Sequence, residues 1–169
     1  NGLYEVVPRL GRRKVYFDVD GENLEAKGGP NKAQKLRDDY EKVKEIVLDY
    51  FPGARLQMSG SDVPKKYSLH IVMSNYYAES VAATEVLQRF AQKFKEEYGF
   101  NGGIYTKNRN VKMINQSKRE NDKATGRLKP PRIHAYIEGD TDIRTHFILS
   151  HFDDDAISIG ALERLQDSR

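Results

Sequence analysis

The sequence predicts an α+β fold with a mixed or antiparallel sheet and flanking helices. Two stretches, 31–50 and 79–98, place apolar residues three and four positions apart, the helical period. Several shorter stretches are apolar or alternate with period two, as strands do. The two kinds mix without the regular β-α alternation of a parallel, doubly wound sheet.

In chain order, Leu3 to Val7 reads as a strand and Pro8 to Arg13 as a basic connection. Lys14 to Asp20 is the central strand, with Val15, Phe17 and Val19 facing the core and Tyr16, Asp18 and Asp20 on the opposite face. Gly21 to Pro30 is a loop. One helix follows from Asn31, buried along Ala33, Leu36, Tyr40, Val43, Ile46, Val47 and Tyr50 and stopped by Pro52-Gly53. Arg55 to Ser59 is a strand, Gly60 to Lys66 a polar turn, and Tyr67 to Ser74 a strand with Tyr67, Leu69, Ile71 and Met73 on one face. Glu79 to Tyr98 is a helix buried along Val81, Ala82, Val86, Leu87, Phe90, Ala91 and Phe94, closed by Gly99. Ile104-Tyr105 and Val111 to Ile114 read as short strands, Ser117 to Pro131 as an exposed loop, and Ile133 to Ile137 and His146 to Leu149 as late strands. The tail from Phe152 begins acidic and ends in a helix.

At 169 residues the chain suits one domain, 1–169, with a substantial core. Its first residue is Asn, so it is expected to be part of a longer protein. No apolar run approaches the ~20 residues that cross a bilayer, and no secretory signal is visible, so no membrane partner and an intracellular location are expected. Having no cysteine excludes disulfides and thiolate zinc sites. Net charge is only +3, but nine cations between Tyr105 and Arg132 face two anions, a local charge of +7 suited to phosphates.

Three constellations carry possible chemistry. Asp18 and Asp20 share a strand face about 7 Å apart, where they repel unless a cation such as Mg2+ or Mn2+ lies between them. Ser68 and His70 share the face of another strand, joined by Lys66 if that strand begins early enough, and together donate hydrogen bonds to an anion. Arg109, Lys112 and Lys118 are spaced to meet one phosphate chain. The Gly-rich phosphate loop ending in Lys-Ser or Lys-Thr is absent. His134, His146 and Tyr136 read as strand residues, and His151 with Asp153 to Asp155 as a solvated turn.

The order of these motifs resembles the archaeo-eukaryotic primase superfamily, in its primase-polymerase and large-DNA-virus primase branch. The resemblance rests on Asp18-Val19-Asp20, Ser68-Leu69-His70, Tyr105-Thr106-Lys107-Asn108-Arg109-Asn110-Val111-Lys112 and Ser117-Lys118, and spans about residues 3 to 155. It implies a catalytic core with an RRM-like module and an N-terminal αβ part. It also implies template-dependent nucleotidyl transfer, with two divalent ions, Mg2+ or Mn2+, on Asp18, Asp20 and residue 101. Lys66, Ser68, His70, Arg109, Lys112 and Lys118 then bind the phosphates of a nucleoside triphosphate. The implied partners are a DNA template and a helicase or other replication module. Asn101 departs from the pattern, since the family carries an Asp there. Activity is therefore expected to be impaired, whether by nature or by deliberate replacement. Arg12, Arg13, Lys123, Arg127 and Arg132 are template candidates on charge alone.

Two rivals compete. Asp18-Val19-Asp20-Gly21 also resembles the nucleophile motif of haloacid-dehalogenase-type phosphohydrolases, with Ser74 and Gly139-Asp140-Thr141-Asp142 as partners. That reading leaves Tyr105 to Lys118 unexplained. The other rival is a non-catalytic nucleic-acid-binding module on a primase-like fold.

Overall fold

Strand β2 (Arg13–Asp20) pairs antiparallel with the longest strand, β4 (Lys66–Ala78), and the rest packs on that pair. The computed structural model describes residues 3–8, 11–21, 32–63, 66–105, 109–118, 121–128 and 132–160. At 62, 63, 66, 104, 109, 110, 112, 117, 118 and 132 only the backbone is described. The fold is α+β, as expected, with a mainly antiparallel sheet.

The sheet runs β2, β4, β3 (Leu56–Val63) and β8 (Ala135–Glu138), all antiparallel. A short β9 (Ile157–Ser158) lies parallel to Tyr76-Tyr77, making the sheet mixed. Separately, β1 (Tyr4–Val7) pairs with β5 (Arg109–Lys112), and β6 (Ser117–Lys118) with β7 (Arg132–Ile133).

Apolar alternation decides the core. Val15, Phe17, Val19, Leu69, Ile71, Met73 and Met58 are fully buried. Phe17 sits among rings, with Phe90 at 4.8 Å, Phe100 at 5.6 Å and Phe51 at 6.0 Å between centroids. Burial of one such side chain stabilises by about 1.5–3 kcal/mol. The helices supply the facing layer. The expected helix from Asn31 is two, α1 (Lys32–Asp38) and α2 (Tyr40–Tyr50), with the chain bent at Asp39 while helical hydrogen bonds continue across it. The second expected helix is α3 (Val81–Lys93) and α4 (Lys95–Tyr98). Ser80 caps α3 by accepting a hydrogen bond from Ala83 N at 3.1 Å. Its buried stripe is Ala83, Thr84, Leu87, Phe90 and Ala91, with Val81 and Ala82 outside it. Gly99, at φ +72°, closes α4 in the left-handed conformation.

Several expectations are corrected. Gly60 to Val63, expected in a polar turn, is strand, because β3 continues to Val63, which lies opposite Lys66 of β4; residues 64 and 65 of the expected turn lie outside the described residues. Its polar residues alternate in strand register, which composition alone does not reveal. Ile104-Tyr105 belongs to a 3-10 helix, Gly102–Tyr105, and the strand expected at Val111 to Ile114 is β5. Of the exposed loop expected from Ser117, Ser117-Lys118 is strand β6, paired with β7, while 121–128 is exposed turn and loop closed by a bridge between Asn121 and Leu128. His146 to Leu149 is no strand, because Asp142 caps a 3-10 helix, Ile143–His146, immediately before it. The tail helix lies outside the described residues beyond Gly160. Tyr16 is buried too, against Tyr105 at 5.4 Å, so β2 is covered on both faces at that point. Among the described residues no helix is long and apolar enough to cross a membrane.

Candidate active site

Antiparallel register determines which polar side chains meet. Asp18 lies opposite His70 and Asp20 opposite Ser68. On the other edge of β4, His70 lies opposite Ser59 and Ser68 opposite Ser61. Opposed residues share a face, with Cβ atoms about 4.5–5.5 Å apart. Two rows result, Asp18–His70–Ser59 and Asp20–Ser68–Ser61. They continue the face that carries buried Tyr16 and Val72, so the surface changes from apolar to polar along the strands.

Residue 101 joins them through a return of the chain. After Gly99, Phe100 inserts its ring beside Phe17 and Phe90. That anchor lays 99–101 antiparallel along the outer edge of β2. Val19 bridges Phe100, Asp20 N donates to Gly99 O and Asn101 N donates to Asp18 O, each at 2.9 Å. Asn101 therefore stands across from Asp18. Its side-chain oxygen accepts a hydrogen bond from Gly103 N at 3.0 Å.

The fold leaves Asp18 short of a donor. Its Oδ1 is buried and receives no hydrogen bond among the described residues. His70 Nε2 is the near neighbour at 3.7 Å, beyond hydrogen-bond range. A buried polar atom left so costs about 1–3 kcal/mol, more when charged. A cation beside it removes that cost. The donors fit a hard divalent ion, with two carboxylates on one face and one oxygen lacking a partner. They fit a second ion poorly. Asn101 offers a neutral oxygen already engaged by Gly103, and among the described residues no group of three His, Asp or Glu lies close enough to hold a metal.

The basic segment adjoins this face. In β5, Arg109 lies opposite Val7 and Lys112 opposite Tyr4, while Lys118 lies on β6 opposite Arg132. Between them, Asn115 N donates to His134 O at 2.6 Å and His134 N donates to Gln116 O at 3.2 Å. The ring of His134 stacks on His70, with centroids 4.1 Å apart and planes 24° from parallel. Tyr105, at the head of the segment, is buried and its hydroxyl donates to Tyr16 O. Burial pushes its phenol well above the ordinary range, with Tyr16 and Asp18 adding to the shift, so it serves as an anchor.

The structure thus brings Asp18, Asp20, Ser68, His70 and Asn101 together. Lys66 opens the same strand in step with Ser68 and His70. For Lys66, Arg109, Lys112 and Lys118 the side chains lie outside the described residues, and their strands are placed as above. Ser59, Ser61 and His134 were missed by the sequence reading. The period-two run Ser59-Gly60-Ser61 was a signal for the first two, whereas a lone histidine gave none. Other candidates lie apart. Arg13 is buried, bonded to Gly11 O at 2.6 Å and to Thr84 Oγ1, and cannot reach a template. Arg12 lies over the Tyr77 ring at 4.1 Å, beyond Arg13 and roughly 17 Å or more along β2 from Asp18. Ser74, buried, bonds Asp153 at 2.7 Å and Gln57 at 3.1 Å, and Asp142 pairs with Arg144, so the phosphohydrolase partners do not gather at Asp18.

No family model matches this chain, and no curated protein matches it.

Proposed function

We propose that the chain is a primase-polymerase-type catalytic core, a template-dependent nucleotidyltransferase using nucleoside triphosphates. Its α+β fold is then that of the archaeo-eukaryotic primases, RRM-like module included. The observation that carries the reading is the meeting of Asp18, Asp20, Ser68, His70 and Asn101, far apart in sequence, on one face with the basic segment alongside. Asp18 and Asp20 would hold Mg2+ or Mn2+. A divalent ion bound there supplies Lewis-acid charge to an attacking hydroxyl and to the triphosphate. Ser68 and His70 donate hydrogen bonds to phosphate oxygens, while Arg109, Lys112 and Lys118 supply the positive field that a leaving pyrophosphate requires. Positioning and charge carry this reaction, with little covalent work for side chains. The paired strands 117–118 and 132–133 and the Asn121–Leu128 bridge, with Lys123 and Arg127 exposed beside it, suit the phosphates of a DNA template.

Asn101 supports a second reading, a core that binds nucleotide or nucleic acid without turnover, because its oxygen is neutral and engaged by Gly103. One experiment separates the two. Mn2+-dependent triphosphate binding and primer synthesis on single-stranded DNA are measured for this chain and for Asn101→Asp. The enzyme reading expects metal-dependent binding in both and synthesis at least ~10-fold higher in the variant, about 1.4 kcal/mol. Binding without synthesis in both selects the second reading. No metal-dependent binding in either overturns the proposed enzyme.

A further inference from the structure

His134 holds the point where the two halves of the proposed site join. It follows β7 and precedes β8, far in sequence from Asp18, Asp20, Ser68 and His70. Its backbone makes two hydrogen bonds to the basic segment, to Asn115 N and Gln116 O. Its ring covers one flat face of the His70 imidazole at 4.1 Å. His134 is buried, at 6% exposure, while the His70 side chain keeps 16%, so His70 retains an accessible edge beside a closed back. On its strand neighbours His70 has Asp18 to one side and Ser59 to the other.

Such an arrangement limits how the His70 ring can turn. An imidazole beside one carboxylate can rotate about its Cβ–Cγ bond between broad minima. A second ring packed nearly parallel at van der Waals distance makes rotation out of plane a steric clash. Nε2 is thereby kept toward Asp18 Oδ1. The backbone bonds of the same residue set how far the strands of Arg109, Lys112 and Lys118 lie from that face.

We propose that His134 is a positioning residue: its ring orients His70 toward Asp18 and its backbone registers the basic 109–118 segment against the carboxylate face. The role at the triphosphate rests on the reading of the site given above; the orientation of His70 does not.

The test uses His134→Ala, His134→Leu and His134→Phe in the full chain. Two measurements are made: Mn2+-dependent binding of a non-hydrolysable nucleoside triphosphate, and the NMR signals of the His70 ring without ligand. Phe keeps a flat ring to stack, Leu fills similar space without one, and Ala does neither. In the unliganded chain, the His70 signals read are the NOE cross-peaks from its ring to Asp18, since loss of ring current alone moves its shifts; these should weaken on His134→Ala and on His134→Leu and persist in His134→Phe. Triphosphate affinity should fall about 10-fold in Ala and Leu and recover in Phe, a difference near 1.4 kcal/mol. If Leu restores both readouts as well as Phe, His134 is only filler and the proposal fails. Unchanged His70 signals in His134→Ala also overturn it. A wild type that binds no triphosphate overturns the reading of the site, and His134 is then judged on the His70 signals alone.

Discussion

The two ends of strand β2 treat buried charge in opposite ways. At its start Arg13 and Lys14 are buried cations with acceptors in place. Arg13 bonds Gly11 O and Thr84 Oγ1, and Lys14 Nζ donates to Thr145 O at 2.9 Å. At its finish Asp18 has a buried oxygen that no donor reaches among the described residues. The two cations are satisfied by the fold and the Asp18 oxygen is not, and a buried carboxylate oxygen left wanting on a face beside a second carboxylate marks a place where a cation is expected to bind. Charge alone does not separate the two ends, since both carry a pair of like charges.

The sharpest way to break this comparison is Asp18→Asn. Mn2+ affinity should drop at least ~100-fold by calorimetry, while thermal stability without divalent ions holds or rises, because a half-buried carboxylate whose Oδ1 lacks a donor loses its charge. A clear fall in melting temperature would make Asp18 a structural group like Arg13. The converse substitution, Arg13→Met, should cost about 2 kcal/mol in urea unfolding because it removes the donor to Thr84 Oγ1 and Gly11 O, while Ser80 O keeps its bonds from Thr84, and should leave Mn2+ binding of the folded protein unchanged.

Lys14 sharpens the comparison through pH. Burial lowers its pKa from 10.5 to about 8, against the opposing pull of Asp153 and Glu5. The unfolded chain then binds more protons between those values, so stability contributed by Lys14 rises from about pH 8 to 10.5. Tyr105 works the other way above its ordinary range, since burial keeps it protonated in the fold after the unfolded chain has released the proton. Measuring the denaturant midpoint of wild type minus Lys14→Met across pH 7 to 10 isolates the lysine, and the difference should grow with pH. A flat difference would mean that Lys14 is hydrated rather than buried. Smallest is Ser80→Ala, which removes a neutral helix cap and should cost about 1 kcal/mol in the same assay, with Mn2+ binding unaffected.

Much of the fold was legible in advance because periodicity is local. The buried stripe from Ala33 to Tyr50, the alternation of Leu69, Ile71 and Met73, and the closing Gly99 each follow from a few neighbouring residues. Asp18 with Asp20, and Ser68 with His70, share faces for the same reason. Errors fell where long-range pairing overrode composition. Polar Gly60 to Val63 became strand because β4 was there to pair with it, and Ser117-Lys118 became strand because β7 was there to pair with it.

What the linear chain settled, then, was which residues share a face and which segments are apolar, since a fixed rise and rotation per residue carry that information. What it left open was which faces become neighbours. Asn101 stands across from Asp18 because Phe100 finds a place in the core, and His134 covers His70 because two backbone hydrogen bonds seat it there. The Asp18–Asn101 and His70–His134 contacts join residues 83 and 64 positions apart, and no local period encodes them.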